Sequence, residues 1–267
     1  MYMQKIKTLF RHLSFVWYIS ANRMTFLKLL HTFFSIVVIR RKSTQYLQSV
    51  ELYDVKLSHT LTHSIFLRPS DYFIFYEIFF LDIYRPLINQ TASKGSILDL
   101  GGHVGLATLF IRAYKSNPIH VYEPSSTNAT LLEKNIAGLP NITLYKKAVS
   151  TENGSATIHI YDSIPSRNSL RPETGTLSTT PEIVPTQTVD TILNSIPDLA
   201  GVKFDIEGLE YDAFSASQKR YDIPYLIGEI KLSGEFSLEK FLALFPTHKS
   251  SVLPLGNHTF IIELEQN

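Results

Sequence analysis

The chain has 267 residues, of which 44% are hydrophobic and 18% charged, and its formal net charge is +1. This length and balance are typical of a globular α/β domain with an extension rather than of a disordered chain. The near-neutral charge does not favour a nucleic acid as partner of the whole molecule. Cysteine is absent, which excludes disulfides, thiolate catalysis and cysteine-ligated metal sites.

The first 50 residues form a basic arm with eight Lys or Arg and no acidic residue. Two interpretations stay open. The arm lies on an anionic membrane surface or docks a partner, or it is an ordinary helical extension that packs on the domain. We expect residues 1–70 to form this N-terminal extension, with helical and β-like segments, and residues 71–267 to form the main domain.

The arm contains no segment that we expect to span a membrane. Its longest apolar run, 29–39, is interrupted by His31 and Thr32 and is shorter than the roughly 20 residues that a span needs. A second apolar run at 15–19 is followed by no small-residue cleavage site of the kind that ends a signal peptide. We therefore expect a cytoplasmic protein. If the basic arm lies on a membrane surface, this protein would also be membrane-associated.

The elements follow a regular order along the chain. Residues 1–45 are predicted as one or two helices, 55–57 and 64–68 as short β-like runs, and 71–84 as a helix. From residue 96, apolar runs alternate with amphipathic segments, which favours a parallel sheet flanked by helices. The predicted strands are 96–100, 119–123, 142–148, 156–161, 183–188, 201–206 and 225–230, and the predicted helices are 103–115, 126–137, 189–196, 208–218 and 237–245.

Two features interrupt this regularity. The β-rich runs 248–253 and 258–264 flank a Pro/Gly/Asn turn, so the last strand should be antiparallel. Residues 162–185 are rich in Ser, Thr and Pro, and a long loop of this kind is predicted to be a lid over the substrate. The expected fold class is α/β, with a doubly wound, Rossmann-like, mostly parallel sheet and an antiparallel C-terminal strand.

A glycine turn follows the first strand of this sheet. The strand ends in Asp99, and the turn contains Gly101, Gly102 and Gly105. Such a turn lets the backbone approach a ligand and directs helix N–H groups at it, as nucleoside-containing cofactors require. His103 occupies the position at which a dinucleotide-binding turn has the glycine that admits the pyrophosphate. The turn therefore favours a ligand without phosphate, although a plain strand-to-helix turn is the alternative.

An acidic residue, Glu123, closes the second strand and is followed by Pro124. It lies about 20 residues beyond the glycine turn, where a carboxylate accepts hydrogen bonds from both ribose hydroxyls of a bound nucleoside. A surface carboxylate at a strand end is the alternative interpretation.

Further carboxylates follow two later strands. Asp205 and Glu207 share one face at the carboxyl end of a strand, where ligands bind in open α/β sheets. Glu210 is explained as a helix-start acid that complements the helix dipole. Glu229 ends the next strand, and together with Asp205 and Glu207 it offers at most a weak Mg²⁺ site. No strong metal-ligand pattern is present.

Three motifs resemble those of the FkbM-type family of S-adenosylmethionine-dependent methyltransferases. Residues 97–105 resemble the family's V-D-V-G-A-N-I-G, residues 121–124 its F-E-P, and residues 202–211 its K-I-D-V-E-G-x-E. Residues 147–150, 168–170 and 188–193 add weaker similarity, and the resemblance runs from about residue 67 to the C-terminus. One position departs from the pattern, because His103 stands where the family usually has Asn.

The resemblance implies a Rossmann-like methyltransferase fold and S-adenosylmethionine as cofactor. The methionine portion would be held by Asp99 and by the backbone of the turn, at Gly101, Gly102, His103 and Gly105. The adenine would be flanked by Ala148 and Val149. Glu123 would accept the ribose hydroxyls. The family methylates hydroxyls, so the acceptor would be a sugar, glycan, glycolipid or related metabolite.

A hydroxyl acceptor must lose its proton, and either Asp205 or Glu207 is the expected base. If Asp205 instead binds the ammonium group of the cofactor, Glu207 is left for the acceptor. Two other functions stay open: an NAD(P)-dependent oxidoreductase or epimerase, against which His103 counts, and a non-catalytic methyltransferase-like module tethered by the basic arm.

Overall fold

The computed structural model describes residues 2–39, 43–161, 168–170, 179–196, 198–232, 237–255 and 259–267. The chain divides into two compact units, Met1–Ile83 and Tyr84–Asn267. The division falls after the segment 71–83, which we had expected to belong to the main domain. No helix in the described ranges is both long enough and apolar enough to cross a membrane.

The described part of the first unit packs α-helices and a β-hairpin around aromatic side chains. It contains α1 (Tyr2–Ile19), α2 (Arg23–Phe33) with a π-helical continuation (Phe34–Val38), α3 (Thr44–Leu47), β1 (Glu51–Lys56), β2 (Thr62–Leu67) and α4 (Tyr72–Phe79). The side chain of Asn22 accepts the Thr25 N–H at 2.8 Å and so begins α2. The ring of Phe15 meets that of Phe75 edge-on, with 5.2 Å between centroids. The predicted N-terminal helices and β-like runs are confirmed.

The second unit contains ten strands and six helices in its described ranges. The strands are β3 (Ser96–Leu100), β4 (Ile119–Tyr122), β5 (Ile142–Tyr145), β6 (Ala148–Ser150), β7 (Gly154–Tyr161), β8 (Thr179–Thr188), β9 (Leu199–Phe204), β10 (Tyr225–Lys231), β11 (His248–Pro254) and β12 (Thr259–Gln266). The helices are α5 (Arg85–Gln90), α6 (Leu106–Tyr114), α7 (Ser126–Ile136), α8 (Val189–Asn194), α9 (Glu210–Ala216) and α10 (Leu238–Leu242).

Seven strands form the central sheet in the order β11-β12-β10-β9-β3-β4-β5. Strands β10, β9, β3, β4 and β5 pair in parallel, and β12 pairs antiparallel with both β10 and β11. The expected α/β fold with an antiparallel C-terminal strand is therefore confirmed. Every residue of β3 is buried, as is typical of a parallel strand covered on both faces.

The smaller sheet corrects one prediction. The strands predicted at 156–161 and 183–188 do not join the central sheet but lie in a separate sheet of order β6-β8-β7, and β7 runs antiparallel to β8. The single strand predicted at 142–148 is divided between β5 and β6. Pro181 and Pro185 lie where β8 pairs with β7 but not yet with β6, which begins its pairing at Thr186. A proline has no N–H for a second ladder, so these positions suit a strand paired on one side.

The predicted lid at 162–185 falls only partly on described residues. Its end, from residue 179, is not loop but the first part of β8. Of the rest, 168–170 are described, and 162–167 and 171–178 lie outside the described residues. The lid function therefore stays a prediction.

The sheet topology positions the site. Strands β4 and β5 follow on one side of β3, whereas β9 and β10 lie on its other side. This reversal is a topological switch point, outside which ligands bind in open α/β sheets. Because β3, β4, β9 and β10 are parallel, their carboxyl ends meet at one edge, which we call the carboxyl edge.

Candidate active site

The glycine turn at the end of β3 lies against the loop at the end of β9. The Asp205 N–H donates to the Leu100 carbonyl at 2.9 Å. Gly101 has a φ of +83°, and a Cβ at this position would overlap the carbonyl oxygen of Asp205. Only glycine permits this approach. Two of the three predicted motifs are therefore joined through their backbones, and the requirement for Gly101 arises within the protein.

A buried ion pair fixes the same turn. The Lys203 ammonium lies 3.0 Å from Asp99 Oδ1 and donates to the Gly101 carbonyl at 2.6 Å. The Thr108 hydroxyl donates to Asp99 Oδ2 at 2.6 Å. Burial alone would lower the pKa of Lys203, but the carboxylates of Asp99 and Asp205 outweigh it and raise that pKa. The Lys203 ammonium is thus held in its charged form.

The Asp99 side chain is fully buried and directed at Lys203 and Thr108. Its observed role is to hold the glycine turn, and its predicted contact with the methionine portion of a cofactor stays a prediction. Sequence reasoning assigned no role to Lys203. The sequence did contain a signal for a buried ion pair, namely a lysine within an apolar strand. A lysine is almost never fully buried unless it is paired.

Glu123 connects the turn to the start of α7. Its Oε2 accepts the His103 N–H at 2.8 Å, and its Oε1 accepts the Ser125 N–H at 3.0 Å. The residue is 5% exposed, so the surface-carboxylate interpretation is wrong. Burial raises the pKa of Glu123 to about 7, although these hydrogen bonds oppose the shift. The structure therefore brings Glu123 and the glycine turn together.

His103 has a left-handed backbone with a φ of +50°. Asn and His are among the non-glycine residues that adopt this conformation most readily. The departure from the Asn that is usual in the family therefore preserves the backbone geometry, and with it the N–H that reaches Glu123. Gly105, with a φ of +88°, begins α6 immediately afterwards, and Gly102 packs against Val121 and Leu132.

The loop after β9 also carries a non-glycine residue with a left-handed backbone. Glu207 has a φ of +56° and is followed by Gly208, whose φ is +96°. A long side chain in this region costs about 1–3 kcal/mol and is maintained mainly at functional positions. Among the described residues, no atom other than those of Gly208 and its two chain neighbours lies within 4 Å of where a Cβ on Gly208 would stand. In that part of the chain, no other residue therefore fills the space beside this strained turn.

Glu207 is ion-paired with Lys231 at the end of β10. Lys231 also lies 3.8 Å from Glu229 Oε1. Burial and then the charge of Asp205 raise the pKa of Glu207 to about 8, against the opposing effect of Lys231. A carboxyl group with this pKa can accept a proton near neutral pH.

Lys231 occupies the place proposed for a metal. Among the residues that the structure describes, no group of three or more His, Asp or Glu side chains is placed to hold a metal ion. The ammonium lies with both Glu207 and Glu229, so the weak Mg²⁺ site has no support.

Glu210 closes the loop on itself. Its carboxylate accepts the N–H groups of Ile206 at 3.1 Å and of Gly208 at 3.0 Å. This agrees with its interpretation as a helix-start acid, because α9 begins at this residue.

Asn168 and Ser169 were not predicted as site residues. The Ser169 hydroxyl donates to the Glu207 carbonyl at 2.6 Å, and the Asn168 amide donates to the Ser125 hydroxyl at 3.2 Å. These two bonds connect the loop after β9 to the loop that holds Glu123. The only signal in the sequence was the weak family similarity at 168–170.

Ala148 and Val149 lie in β6, both buried. Val149 belongs to the main core, whereas Ala148 packs with Ile158 and Val184 in the small sheet. Their predicted contact with adenine stays a prediction.

Comparison with known proteins identifies the family. The family model "Methyltransferase FkbM domain" matches residues 99–248, more than half of the chain. A search of curated proteins found no match.

Several solved structures are similar in part. An rRNA methylase from Streptococcus thermophilus is 10% identical over 68% of this chain and 93% of its own, with a TM-score of 0.46. Precorrin-6y C5,15-methyltransferase from Geobacter metallireducens is 10% identical over 69% of this chain and 89% of its own, with a TM-score of 0.44. TrmK from M. capricolum, in complex with S-adenosyl-homocysteine, is 12% identical over 68% of this chain and 67% of its own, with a TM-score of 0.42. On the family match, which includes the glycine turn, Glu123 and the Asp205–Glu210 loop, the chain belongs to the FkbM methyltransferase family.

Proposed function

We propose that this S-adenosylmethionine-dependent methyltransferase methylates a hydroxyl of a sugar, glycan, glycolipid or related metabolite, with Glu207 as the base. The observation that carries the proposal is the state of Glu207 at the carboxyl edge. Its backbone is strained, its pKa is raised to about 8, and no other residue of the described ranges fills the space at the neighbouring Gly208. These properties suit a carboxylate that takes the hydroxyl proton of an acceptor.

The residues at the carboxyl edge fit the cofactor. A carboxylate has about four lone-pair positions. The N–H groups of His103 and Ser125 and the Asn128 amide, the last at 3.5 Å, use part of this capacity and leave Glu123 able to accept from a ribose hydroxyl. When bound, S-adenosylmethionine supplies a methyl group already activated by its sulfonium. The contribution of the chain is then to position the acceptor and remove its proton, and positioning alone can supply up to about 7–11 kcal/mol.

The two candidate bases have different surroundings. Asp205 is joined to the glycine turn by its backbone, beside the residues proposed to hold the methionine portion. Glu207 lies further along the loop, and its carboxylate is ion-paired with Lys231. We assign Asp205 to the cofactor's ammonium group and Glu207 to the acceptor. Lys231 holds the Glu207 side chain in place, and Ser169 holds its backbone carbonyl.

The affinity for S-adenosylmethionine is expected to depend on pH through Glu123. Ribose hydroxyls donate to the charged carboxylate, whose pKa burial raises to about 7. Below that pH the protonated form is in excess, so the affinity should fall by about tenfold for each pH unit. Above it the affinity should level off. Calorimetric titrations between pH 5.5 and 8.5, chosen to bracket that roughly neutral pKa, would measure this.

The variant Glu123→Gln provides the control for this dependence. It preserves the shape of the side chain but does not titrate, so its affinity should be weak and flat over the same range. A wild-type affinity that does not change across pH 7 would contradict the assignment of the ribose to Glu123.

The acceptor is tested by transfer of a labelled methyl group. The full chain is incubated with methyl-labelled S-adenosylmethionine and fractionated cell extract, and the proposal predicts label in a carbohydrate-containing fraction that is stable to nucleases and proteases. Label in RNA or protein would contradict the proposed acceptor class. Cofactor binding without transfer to any fraction would favour the non-catalytic module, whereas NAD(P) binding would favour the oxidoreductase, which the family match disfavours.

A further inference from the structure

Large apolar side chains on α1 and α2 of the first unit face solvent. Phe10 is 64% exposed, Trp17 75%, Met24 64% and Leu27 49%. We call these four residues the apolar face. Single exposed apolar residues are ordinary, but a cluster of large ones marks a surface that contacts something else.

The apolar face is additional to the core of the unit. The opposite sides of the same helices are buried, through Phe15 and Ile19 on α1 and Leu29 and Phe33 on α2. The Trp17 ring meets Phe26 of α2 edge-on, with 5.7 Å between centroids, so Trp17 lies against α2. Folding of the unit therefore leaves this surface uncovered.

The charged side chains that α1 and α2 themselves contribute are all basic, while the carboxylate of Asp54 in β1 lies beside the start of α2, where it accepts the Asn22 amide at 2.8 Å. Lys7, Arg11 and Arg23 are exposed on the same helices, and residues 1–50 contain no carboxylate side chain. Large apolar and aromatic side chains next to Lys and Arg are the composition that binds the interface of an anionic bilayer. In a two-fold dimer, by contrast, this face would meet its own copy and bring like charges together.

We propose that the apolar face docks on the surface of an anionic phospholipid bilayer, with Trp17, Phe10, Met24 and Leu27 entering the headgroup region. The helices lie on the membrane and remain packed in the unit. This surface is independent of the proposed methyl transfer and does not rest on it.

Trp17 is the single tryptophan of the chain, so its fluorescence reports directly on the apolar face. The full chain is mixed with vesicles of phosphatidylcholine alone or with added phosphatidylglycerol, at low and high salt. We expect the emission to shift to the blue, and to be quenched by brominated acyl chains, with the anionic vesicles at low salt. High salt should weaken both effects, because it screens the basic residues.

Substitutions that keep Trp17 test the other members of the face. Phe10→Ser, Met24→Ser and Leu27→Ser combined should weaken vesicle binding by at least about tenfold, because three apolar contacts are lost. A matched control combines Ile183→Ser and Leu253→Ser, which remove residues of the second unit that are 79% and 53% exposed. This control should bind like the wild type.

Two results would overturn the proposal. One is Trp17 emission that stays unchanged with anionic vesicles at low salt. The other is a blue shift that appears without lipid as the protein concentration rises and that the triple substitution abolishes, which would assign the face to a second copy of the chain.

Discussion

Replacement of Glu207 by glutamine is expected to lower kcat by about 10²- to 10⁴-fold, the range in which a general base contributes. Glutamine keeps the size of the side chain but cannot take the hydroxyl proton. The affinity for S-adenosylmethionine should change little, because Glu207 is assigned to the acceptor. The measurement is transfer of labelled methyl to the acceptor identified from extract, together with a cofactor titration of the same variant.

The pH profile distinguishes a base from a residue that only positions. The raised pKa of Glu207, about 8, predicts that the wild-type kcat increases with pH up to that value, because the charged carboxylate is the active form. Glu207→Gln should lose this dependence along with its rate. A variant that is slow but keeps the wild-type profile would show that Glu207 is not the base.

Glu229→Gln is a charge-matched control for this experiment. Glu229 also faces Lys231, at 3.8 Å, so its replacement likewise removes one negative charge from the surroundings of that ammonium. If the rate of Glu207→Gln fell only because Lys231 lost a partner, Glu229→Gln would slow the reaction comparably. If Glu207 is the base, Glu229→Gln should have a much smaller effect on the rate.

Replacement of Lys203 by methionine should lower the free energy of unfolding of the second unit by about 3–5 kcal/mol, as removal of one member of a buried ion pair does. The fully buried Asp99 carboxyl group would then lose the ammonium that faces it and keep the hydrogen bond from Thr108. Because the chain has two units, a global unfolding curve is not two-state. Hydrogen exchange in peptides from β3 and β9 measures the loss where it occurs.

The double variant separates the ion pair from simple packing. Adding Asp99→Asn to Lys203→Met removes the unpaired carboxyl group and should recover a large part of the lost stability, so the two substitutions are not additive. Additive losses would show that Asp99 and Lys203 stabilise the turn independently. The ion pair would then not be what holds the glycine turn.

Much of the site was predictable because parallel strands bring their carboxyl ends to one edge. Asp99, Glu123, Asp205 and Glu207 each follow or end an apolar run, and the structure places all four near the switch point. The antiparallel last strand was predictable for a local reason, since a turn between two β-rich runs determines its direction.

The rest depended on contacts between distant segments. Asp99 and Lys203 are partners because β9 lies beside β3 in a register that pairs these two residues, and sequence spacing does not give the order of non-consecutive strands. The same holds for Lys231, which reaches Glu207 from a neighbouring strand. The small sheet was missed because β6 is only three residues long, too short to give a period-two pattern.

We propose above that the carboxyl edge binds S-adenosylmethionine through Glu123. The most direct test is calorimetric titration of the wild type, Glu123→Ala and Glu182→Ala with S-adenosylmethionine. Glu182 is a matched control, because its carboxylate also accepts a backbone N–H near the start of α7, that of Ser126 at 3.2 Å. We expect binding to the wild type and to Glu182→Ala, and loss of binding in Glu123→Ala. Equal affinity in all three proteins, or no binding to the wild type, would contradict it.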